Sequence, residues 1–213
     1  MTAEGLSRLE VVVDDDPCLL KDSSWGILRA PRLCLGVGDV ENCFHRMVMP
    51  PWMSPLFAFP ALTVNELRQD SVETVEGRVA SGHELVYPCC RALPMGCSWS
   101  LYFCQNANTN LARQCDLLRE ARLATDRGEP MVFRVGGARE QDLWHYVYVD
   151  NLGVLGQDAN TVKTALDEKV AAFNKMKLDI HEVEFFDRKG SALGVVVDCE
   201  RLCTSITSKR RCR

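Results

Sequence analysis

The sequence predicts an α+β fold in which a mixed sheet carries helices on one face. Short apolar runs of strand type are interrupted by a few segments of helical periodicity, without the regular alternation of a parallel α/β protein. Of the 213 residues, 46% are hydrophobic. This length and composition are sufficient for one domain with a sizeable core.

Strands are predicted where short runs are continuously apolar or alternate between apolar and polar residues. In chain order these runs are LEVVV (9–13), LCLGVGDV (33–40), LFAFPAL (56–62), HELVYPCC (83–90), MVFRV (131–135), LWHYVYVDNLGVLG (143–156, two β runs around Asp150), LGVVV (193–197) and LCTSI (202–206). The turn DCER makes the last two runs a predicted hairpin. Residues 63–82 are polar and irregular, which indicates a loop.

Three helices are predicted between these strands. A short one is expected over residues 41–48, because Pro50 and Pro51 would end it. The longest is expected from about Ser98 to Ala124, where apolar residues recur at helical spacing. The third is expected to begin at Asn160, a residue type that favours the N-cap position. Its predicted apolar face consists of Val162, Leu166, Val170 and Phe173.

Charge and composition count against strong independent binding to nucleic acid, a membrane span and a signal peptide. The formal net charge is −4, whereas a complete nucleic-acid-binding protein usually carries a basic excess. No apolar run approaches the roughly 18 residues that span a bilayer, and the first residues lack the order of a signal peptide. We therefore expect a soluble, intracellular protein. The one basic cluster is terminal, at Lys209, Arg210, Arg211 and Arg213.

Two groups of residues raise the question of a metal site. The 11 cysteines are odd in number and contain no CxxC pair, so they are interpreted mainly as small buried apolar residues. The loose cluster Cys199, Cys203 and Cys212 leaves zinc open as a minor alternative. The three acids at 14–16 are interpreted as a solvated turn.

Two aspartates end β runs in a way that suits phosphoryl transfer. Asp39 closes LCLGVGDV, and Asp150 lies at the tip of HYVYVDNLGVLG. Two carboxylates 4 Å apart repel by about 4 kcal/mol at an effective dielectric near 20, so such a pair needs a cation. Nucleotide transfer uses two divalent ions held in this way. Taken alone, an Asp at a strand end is more often a cap or turn residue.

Three segments, in order, resemble the conserved motifs of reverse transcriptases encoded by retroelements. They are GDVENCFHRM (38–47), with a metal Asp and an aromatic five residues later; LPMGCSWSLYFCQ (93–105), a Leu-Pro-x-Gly turn leading into a helix; and YVYVDN (146–151), the Tyr-x-Asp-Asp hairpin. LFAF (56–59) resembles the strand after the first motif, and LGVVVD (193–198) the primer-contacting hairpin. The resemblance covers roughly residues 30–200.

The resemblance implies a partial right-hand polymerase palm, a ferredoxin-like mixed or antiparallel sheet with helices on one face. Fingers and thumb are then largely missing. Residues 1–29 become an irregular remnant of the fingers, 30–200 the palm and 201–213 a basic end. The chain is interpreted as a palm cut from a longer polyprotein, or a decayed copy of one.

The implied activity is RNA-directed DNA polymerisation, in which two Mg²⁺ ions (Mn²⁺ as an alternative) assist transfer from dNTPs. The implied partners are an RNA or DNA template with its primer, dNTPs, and finger and thumb segments of a polyprotein, with no membrane. The implied site residues are Asp39, Asp150 and Asn151 for catalysis; Asp39, Asp150 and the Val40 carbonyl for metal; Phe44, Met95 and Gly96 for the nucleotide; and Tyr148, Leu193 and Gly194 for primer and template.

The sequence departs from the family pattern in two places. Asn151 stands where most members have a second Asp, and LDIHEVE (178–184) lacks the usual Lys. His181 is the nearest proton donor there, but it is interpreted mainly as a surface histidine. We expect the isolated chain to be inactive. Two alternatives remain open: a non-catalytic remnant of such a polymerase, and an unrelated ferredoxin-like binding domain with coincidental motifs. The latter predicts that Asp39 and Asp150 lie far apart.

Overall fold

The computed structural model describes residues 9–13, 33–74, 76–119, 121–125, 131–135, 143–201 and 203–207. The chain divides into two compact units. The first contains Met1–Glu41 and Gln105–Arg213, and the second contains Asn42–Cys104. The domain boundaries expected after residues 29 and 200 stay a prediction.

The elements are numbered along the chain. The strands are β1 (Leu9–Val13), β2 (Cys34–Val40), β3 (Leu62–Thr63), β4 (Ser71–Glu73), β5 (Val79–Ser81), β6 (Leu85–Val86), β7 (Arg122–Leu123), β8 (Met131–Val135), β9 (Trp144–Tyr148), β10 (Asn151–Gly156), β11 (Ile180–Phe186), β12 (Lys189–Ala192), β13 (Val195–Asp198) and β14 (Cys203–Ile206). The helices are α1 (Cys43–Arg46), α2 (Ser98–Ala112), α3 (Asp116–Arg119) and α4 (Ala159–Lys175), and a 3₁₀ helix covers Ser54–Phe57.

The first unit is built on a five-stranded sheet in the order β11-β2-β10-β9-β7. Neighbouring strands are antiparallel except for β7, which runs parallel to β9, so the sheet is mixed. Two smaller sheets accompany it: β12-β13-β14, and the parallel pair β1-β8. The predicted α+β fold with a mixed sheet is confirmed, as is the hairpin of β13 and β14.

Apolar residues cover both faces of the central sheet. On one face, Val154 packs with Leu118 of α3 and Val162 of α4. α4 approaches closely because Gly36 has no side chain: a Cβ there would lie 2.9 Å from Leu166 Cδ2. On the other face, Tyr146 belongs to a cluster that also contains residues of β8 and of the small sheet β12-β13-β14.

Two helix predictions for this unit are wrong in detail. The helix expected from Ser98 to Ala124 ends at Ala112, because the chain then turns into the four-residue α3 and into β7. β7 is fixed by pairing with β9, not by local periodicity. α4 is capped by Asp158, whose carboxylate accepts a 2.6 Å hydrogen bond from Thr161 N, and Asn160 lies inside the helix.

The second unit is made of short elements, and the strands and the helix predicted there are mostly wrong in type or length. The strand expected over 56–62 is a 3₁₀ helix followed by the two-residue β3, since Pro55 favours the start of a helical turn. Of the strand predicted over 83–90, only the two residues of β6 form a strand. Of the helix predicted over 41–48, only the four residues of α1 are helical. The expected loop over 63–82 contains a hairpin of β4 and β5.

Several sequence-based expectations lie outside the described residues. They are the acidic turn at 14–16, the terminal basic cluster, and Cys18 and Cys212. Among the described helices, none is long and apolar enough to cross a membrane.

Candidate active site

Asp39 and Asp150 lie next to each other at one end of the central sheet. Asp39 is the penultimate residue of β2 and pairs in register with Asn151, the first residue of β10. The Val40 backbone N–H donates a 2.9 Å hydrogen bond to the Asp150 carbonyl oxygen. The alternative of an unrelated fold with coincidental motifs required these two aspartates to be far apart, and they are adjacent.

The Asp150 carboxylate affects the ionisation of Asp39. Burial and the neighbouring Asp150 carboxylate raise the pKa of Asp39 above that of an ordinary aspartate. Glu182 adds to this rise in the pKa of Asp39, whereas His181 opposes it. The site therefore concentrates negative charge in a half-buried place, which a cation would relieve.

Asn151 turns its amide toward the hairpin tip. Its Nδ2 donates a 2.8 Å hydrogen bond to Asp150 Oδ1. A neutral amide therefore orients the Asp150 carboxylate, where a second aspartate would add charge. The arrangement reduces repulsion at the site and leaves fewer anionic ligands for a cation.

The tip of the hairpin is a two-residue loop with unfavourable backbone geometry. Tyr148 pairs with Asn151, so Val149 and Asp150 form the loop. Val149 has φ = 56°. A positive φ at the first loop position and not at the second is the pattern of a type II′ turn, where glycine is preferred. A β-branched residue there stores about 1–3 kcal/mol of strain, which the surroundings must hold.

Two side-chain amides of α2 hold this strained loop. Gln105 Nε2 donates to the Val147 carbonyl at 2.8 Å, and its Oε1 accepts from Val149 N at 2.8 Å. One turn further on, Asn108 Nδ2 donates to the Val149 carbonyl at 2.6 Å. The sequence pattern includes Gln105 as a motif residue but assigns it no role, and it does not reveal Asn108.

Replacing Asn108 by alanine should destabilise the hairpin by about 1–3 kcal/mol, because the buried Val149 carbonyl loses a donor. Urea unfolding of the 213-residue chain measures this difference. Asn110→Ala is the matched control, since Asn110 is exposed on the same helix and should change stability little. Equal unfolding midpoints for the two variants would show that Asn108 does not support the loop.

A lysine lies behind the same hairpin. Lys169 of α4 is fully buried, and its Nζ donates to the carbonyl oxygens of Tyr146 at 3.0 Å and Gly153 at 3.3 Å. Burial lowers the pKa of Lys169 to about 7. His145 on the neighbouring strand is also buried, and burial together with Lys169 lowers its pKa to about 3. Sequence reasoning missed both residues.

His181 lies on the other side of Asp39. It pairs in register with Asp39 across β11 and β2, and its Nδ1 is 3.0 Å from the Asp39 carbonyl oxygen. The side chain is 47% exposed, as expected for a surface histidine. A role of His181 as proton donor stays a prediction.

The remaining residues of the predicted site fall into two groups. Tyr148 is 39% exposed beside the loop. Leu193 and Gly194 connect β12 to β13 with φ = 52° and 76°, the pattern of a type I′ turn. These residues belong to the unit that contains Asp39.

Phe44, Met95 and Gly96 belong to the second unit. Phe44 is half-buried on α1, Met95 is 71% exposed, and Gly96 has φ = 88° with open space where a Cβ would stand. The role of each of these residues stays a prediction.

The donor set suits magnesium better than a softer metal. Asp39 and Asp150 supply two carboxylates, and Mg²⁺ is typically held by one or two carboxylates together with substrate phosphates. In the described part of the chain, no group of three or more His, Cys, Asp or Glu side chains is arranged to hold a metal ion. The zinc alternative also involves Cys212, which lies outside the described residues, so it stays a prediction.

Among the solved structures that this chain is similar to are telomerases from two Candida species. Apo telomerase from Candida tropicalis matches with a TM-score of 0.51 at 13% identity, over 85% of this chain and 33% of that one. Telomerase from Candida albicans, in complex with the TWJ fragment of telomeric RNA, matches with a TM-score of 0.49 at 14% identity, over 84% of this chain and 31% of that one. The chain thus spans about a third of the length of these structures.

The first of these likenesses shows the fold alone: a mixed α+β fold shared with part of a telomerase. Neither the models of protein families nor the curated proteins gave a match.

Proposed function

We propose that the chain is the palm region of a retroelement reverse transcriptase, an RNA-directed DNA polymerase. The observation that carries this proposal is the pairing of Asp39 with Asn151, the residue after Asp150, together with the effect of the Asp150 charge on Asp39. The three sequence motifs and the telomerase-like fold support it. Synthesis by the whole enzyme would require parts of a longer polyprotein in addition to the residues described.

In this proposal Asp39, Asp150 and the Val40 carbonyl hold divalent cations, Mg²⁺ or alternatively Mn²⁺. Bound ions supply charge stabilisation at the triphosphate and activation of the primer 3′-oxygen. The hairpin amide of Asn151 fixes the orientation of Asp150. Gln105 and Asn108 hold the loop that positions it.

The other predicted residues contact substrates. Phe44 lies under the sugar of the incoming dNTP and excludes a 2′-hydroxyl, the group that distinguishes RNA from DNA. Met95 and Gly96 lie near the nucleotide and template base, with close backbone approach allowed at Gly96. Tyr148, Leu193 and Gly194 contact the primer on its RNA or DNA template.

A second candidate function is that of a non-catalytic remnant of such a polymerase. The hydrogen bond from Asn151 to Asp150 favours it, because the amide satisfies one carboxylate oxygen without any cation. The two candidates differ in one property that the isolated chain can display: a palm with a working carboxylate pair binds Mn²⁺, and a remnant binds it no better than an unrelated acidic surface.

The Asp39 carboxylate should be required for divalent-cation binding. We expect the 213-residue chain to bind Mn²⁺, measured by the loss of the free-ion signal in electron paramagnetic resonance. Asp39→Asn should weaken this binding by at least tenfold, since the ligand charge is one determinant of affinity. Asp167→Asn, which removes the same charge from an exposed position of α4, is the control.

Equal Mn²⁺ affinity in the Asp39 and Asp167 variants would overturn the carboxylate site. Binding in the parent chain that Asp39→Asn abolishes would exclude a remnant without a metal site.

The isolated chain should bind a primer–template duplex weakly and extend no primer. Phosphate contacts supply most of the affinity of proteins for nucleic acids, and the net charge here is −4. Fluorescence anisotropy with a labelled duplex at physiological salt measures this. Sub-micromolar binding would contradict the expectation and would show that the palm carries its own nucleic-acid surface.

A further inference from the structure

Two cysteines of the second unit, Cys43 and Cys104, form a close pair. Cys43 begins α1 and Cys104 lies on α2, 61 positions later. Their Sγ atoms are 3.1 Å apart. Both side chains are buried, with 3% and 0% of their surface exposed.

The geometry points to a modification site: we propose that Cys43 and Cys104 form a reversible disulfide when the protein meets a peroxide. A disulfide bond is about 2.05 Å long, so the two sulfur atoms need to approach by roughly another 1 Å. α1 is a single turn, held at its end by the bond from Leu93 N to the Met47 carbonyl, and a small displacement of it suffices.

The chemistry balances with hydrogen peroxide as the oxidant. One thiol, as its thiolate, attacks a peroxide oxygen, and its sulfur becomes a sulfenic acid with release of one water. The sulfur of the second thiol then attacks the sulfenic sulfur and displaces a second water. The two thiols lose two hydrogens and two electrons in total, and the peroxide is reduced to two waters. A thiol reductant reverses the reaction by exchange.

The short distance between their sulfurs makes Cys43 and Cys104 reaction partners for each other. A sulfenic acid formed at an isolated buried cysteine has no resolving thiol and proceeds to the irreversible sulfinic acid. At 3.1 Å, each of the two sulfurs is the immediate resolving group for the other. Cys203, by contrast, is exposed, so access alone would favour its oxidation.

The disulfide would tie the one-turn helix α1 to α2. Phe44 follows Cys43 directly, so the bond would restrict the backbone that carries this ring. If the proposed polymerase function holds, oxidation would then fix the position of the sugar-contacting residue. The formation of the bond itself does not depend on that function.

Peptide mapping tests the proposal on the full 213-residue chain. The reduced protein is treated with hydrogen peroxide until Cys203 is oxidised, alkylated with N-ethylmaleimide, digested, and analysed by mass spectrometry. We expect a peptide in which Cys43 is linked to Cys104, with the loss of two hydrogens, and its disappearance after dithiothreitol treatment. In denaturant the preference for this pair should vanish.

Single substitutions distinguish the pair from general oxidation. Cys43→Ala and Cys104→Ala should each abolish the linked peptide and leave the remaining cysteine as sulfinic acid. Cys203→Ala, the exposed control, should leave the linkage unchanged. If Cys43 and Cys104 stay reduced, or pair with other cysteines in the native protein, the proposal is overturned. Because no nucleotide or metal enters this experiment, its failure would leave the proposed polymerase function untouched.

Discussion

Replacing Lys169 by methionine should remove a strong rise of stability with pH. The Lys169 amino group is fully buried against the carbonyls of Tyr146 and Gly153, and burial lowers its pKa from 10.5 to about 7. Between these two values the unfolded chain binds one proton more than the folded chain. The free energy of unfolding therefore rises with pH, by about 1.4 kcal/mol per pH unit.

Over the whole interval this contribution reaches roughly 4–5 kcal/mol, and Lys169→Met should lack it. Urea unfolding of both proteins at several pH values above 7 gives the difference between their stabilities. Cys199 has its pKa raised by burial to about 12, and burial also raises the pKa of Tyr146. These two groups lower stability at high pH in both proteins alike, so their effect largely cancels in the difference.

Lys175→Met provides the control, because Lys175 is exposed in the last turn of the same helix. Its pH profile should run parallel to that of the parent. His145 adds little in this interval, since its pKa of about 3 keeps it neutral throughout. If Lys169→Met also runs parallel to the parent, Lys169 is not neutral in the folded protein near pH 8, and its ammonium must be stabilised by other groups.

Lys169 also shows how far the sequence could predict this site. The apolar face of α4 was predicted from Val162, Leu166, Val170 and Phe173, yet Lys169 is the fully buried residue and Val170 is only half-buried. Lys169 follows Leu166 by three positions and precedes Phe173 by four, which is core spacing. This spacing is the only sequence feature that indicates a buried Lys169, and it is weak, because long charged side chains usually extend to solvent from such positions.

The adjacency of Asp39 and Asp150 followed from motif order because each ends a long apolar β run. β2 and β10 are seven and six residues long, and burial of both faces fixes their register. The loop support could not be predicted in this way. The contacts of Gln105 and Asn108 join residues more than 40 positions apart, and polar residues on a helix give no indication of their distant partners.

The second unit was predicted poorly for a related reason. Its strands contain two or three residues, so no period can be read from them. β3 and β6 exist because they pair with each other across more than 20 residues. Local turn chemistry, such as Pro55 at the start of the 3₁₀ helix, overrode the apolar run that suggested a strand.

Asn151→Asp should make the stability of the chain depend on magnesium. The change replaces the amide that donates to Asp150 Oδ1 by a third carboxylate, directly opposite Asp39 in the sheet. Two carboxylates 4 Å apart repel by about 4 kcal/mol at an effective dielectric near 20. Part of this is relieved by protonation and by side-chain movement, so in the presence of a chelator we expect a loss of about 1–3 kcal/mol.

Magnesium should reverse this loss in the variant and act weakly on the parent. A cation that binds only the folded chain stabilises it by RT ln(1 + [L]/Kd), and a third carboxylate lowers Kd. Thermal unfolding with and without millimolar Mg²⁺ measures the effect. Asn110→Asp, which adds the same charge at an exposed position of α2, is the control and should respond little to the ion.

The possible outcomes separate the two functional candidates. Recovery of Asn151→Asp by Mg²⁺, with a small response of the parent, would mean that the hairpin is a polymerase-type cation site weakened by one amide. If Mg²⁺ stabilises the parent as strongly as the variant, Asp39 and Asp150 bind the ion without a third carboxylate. The amide of Asn151 then does not weaken cation binding. If Mg²⁺ fails to restore the variant beyond the Asn110 control, then the carboxylates do not converge on a cation. The hairpin would then be a structural remnant, because a site that cannot hold the ion with three carboxylates cannot hold it with two.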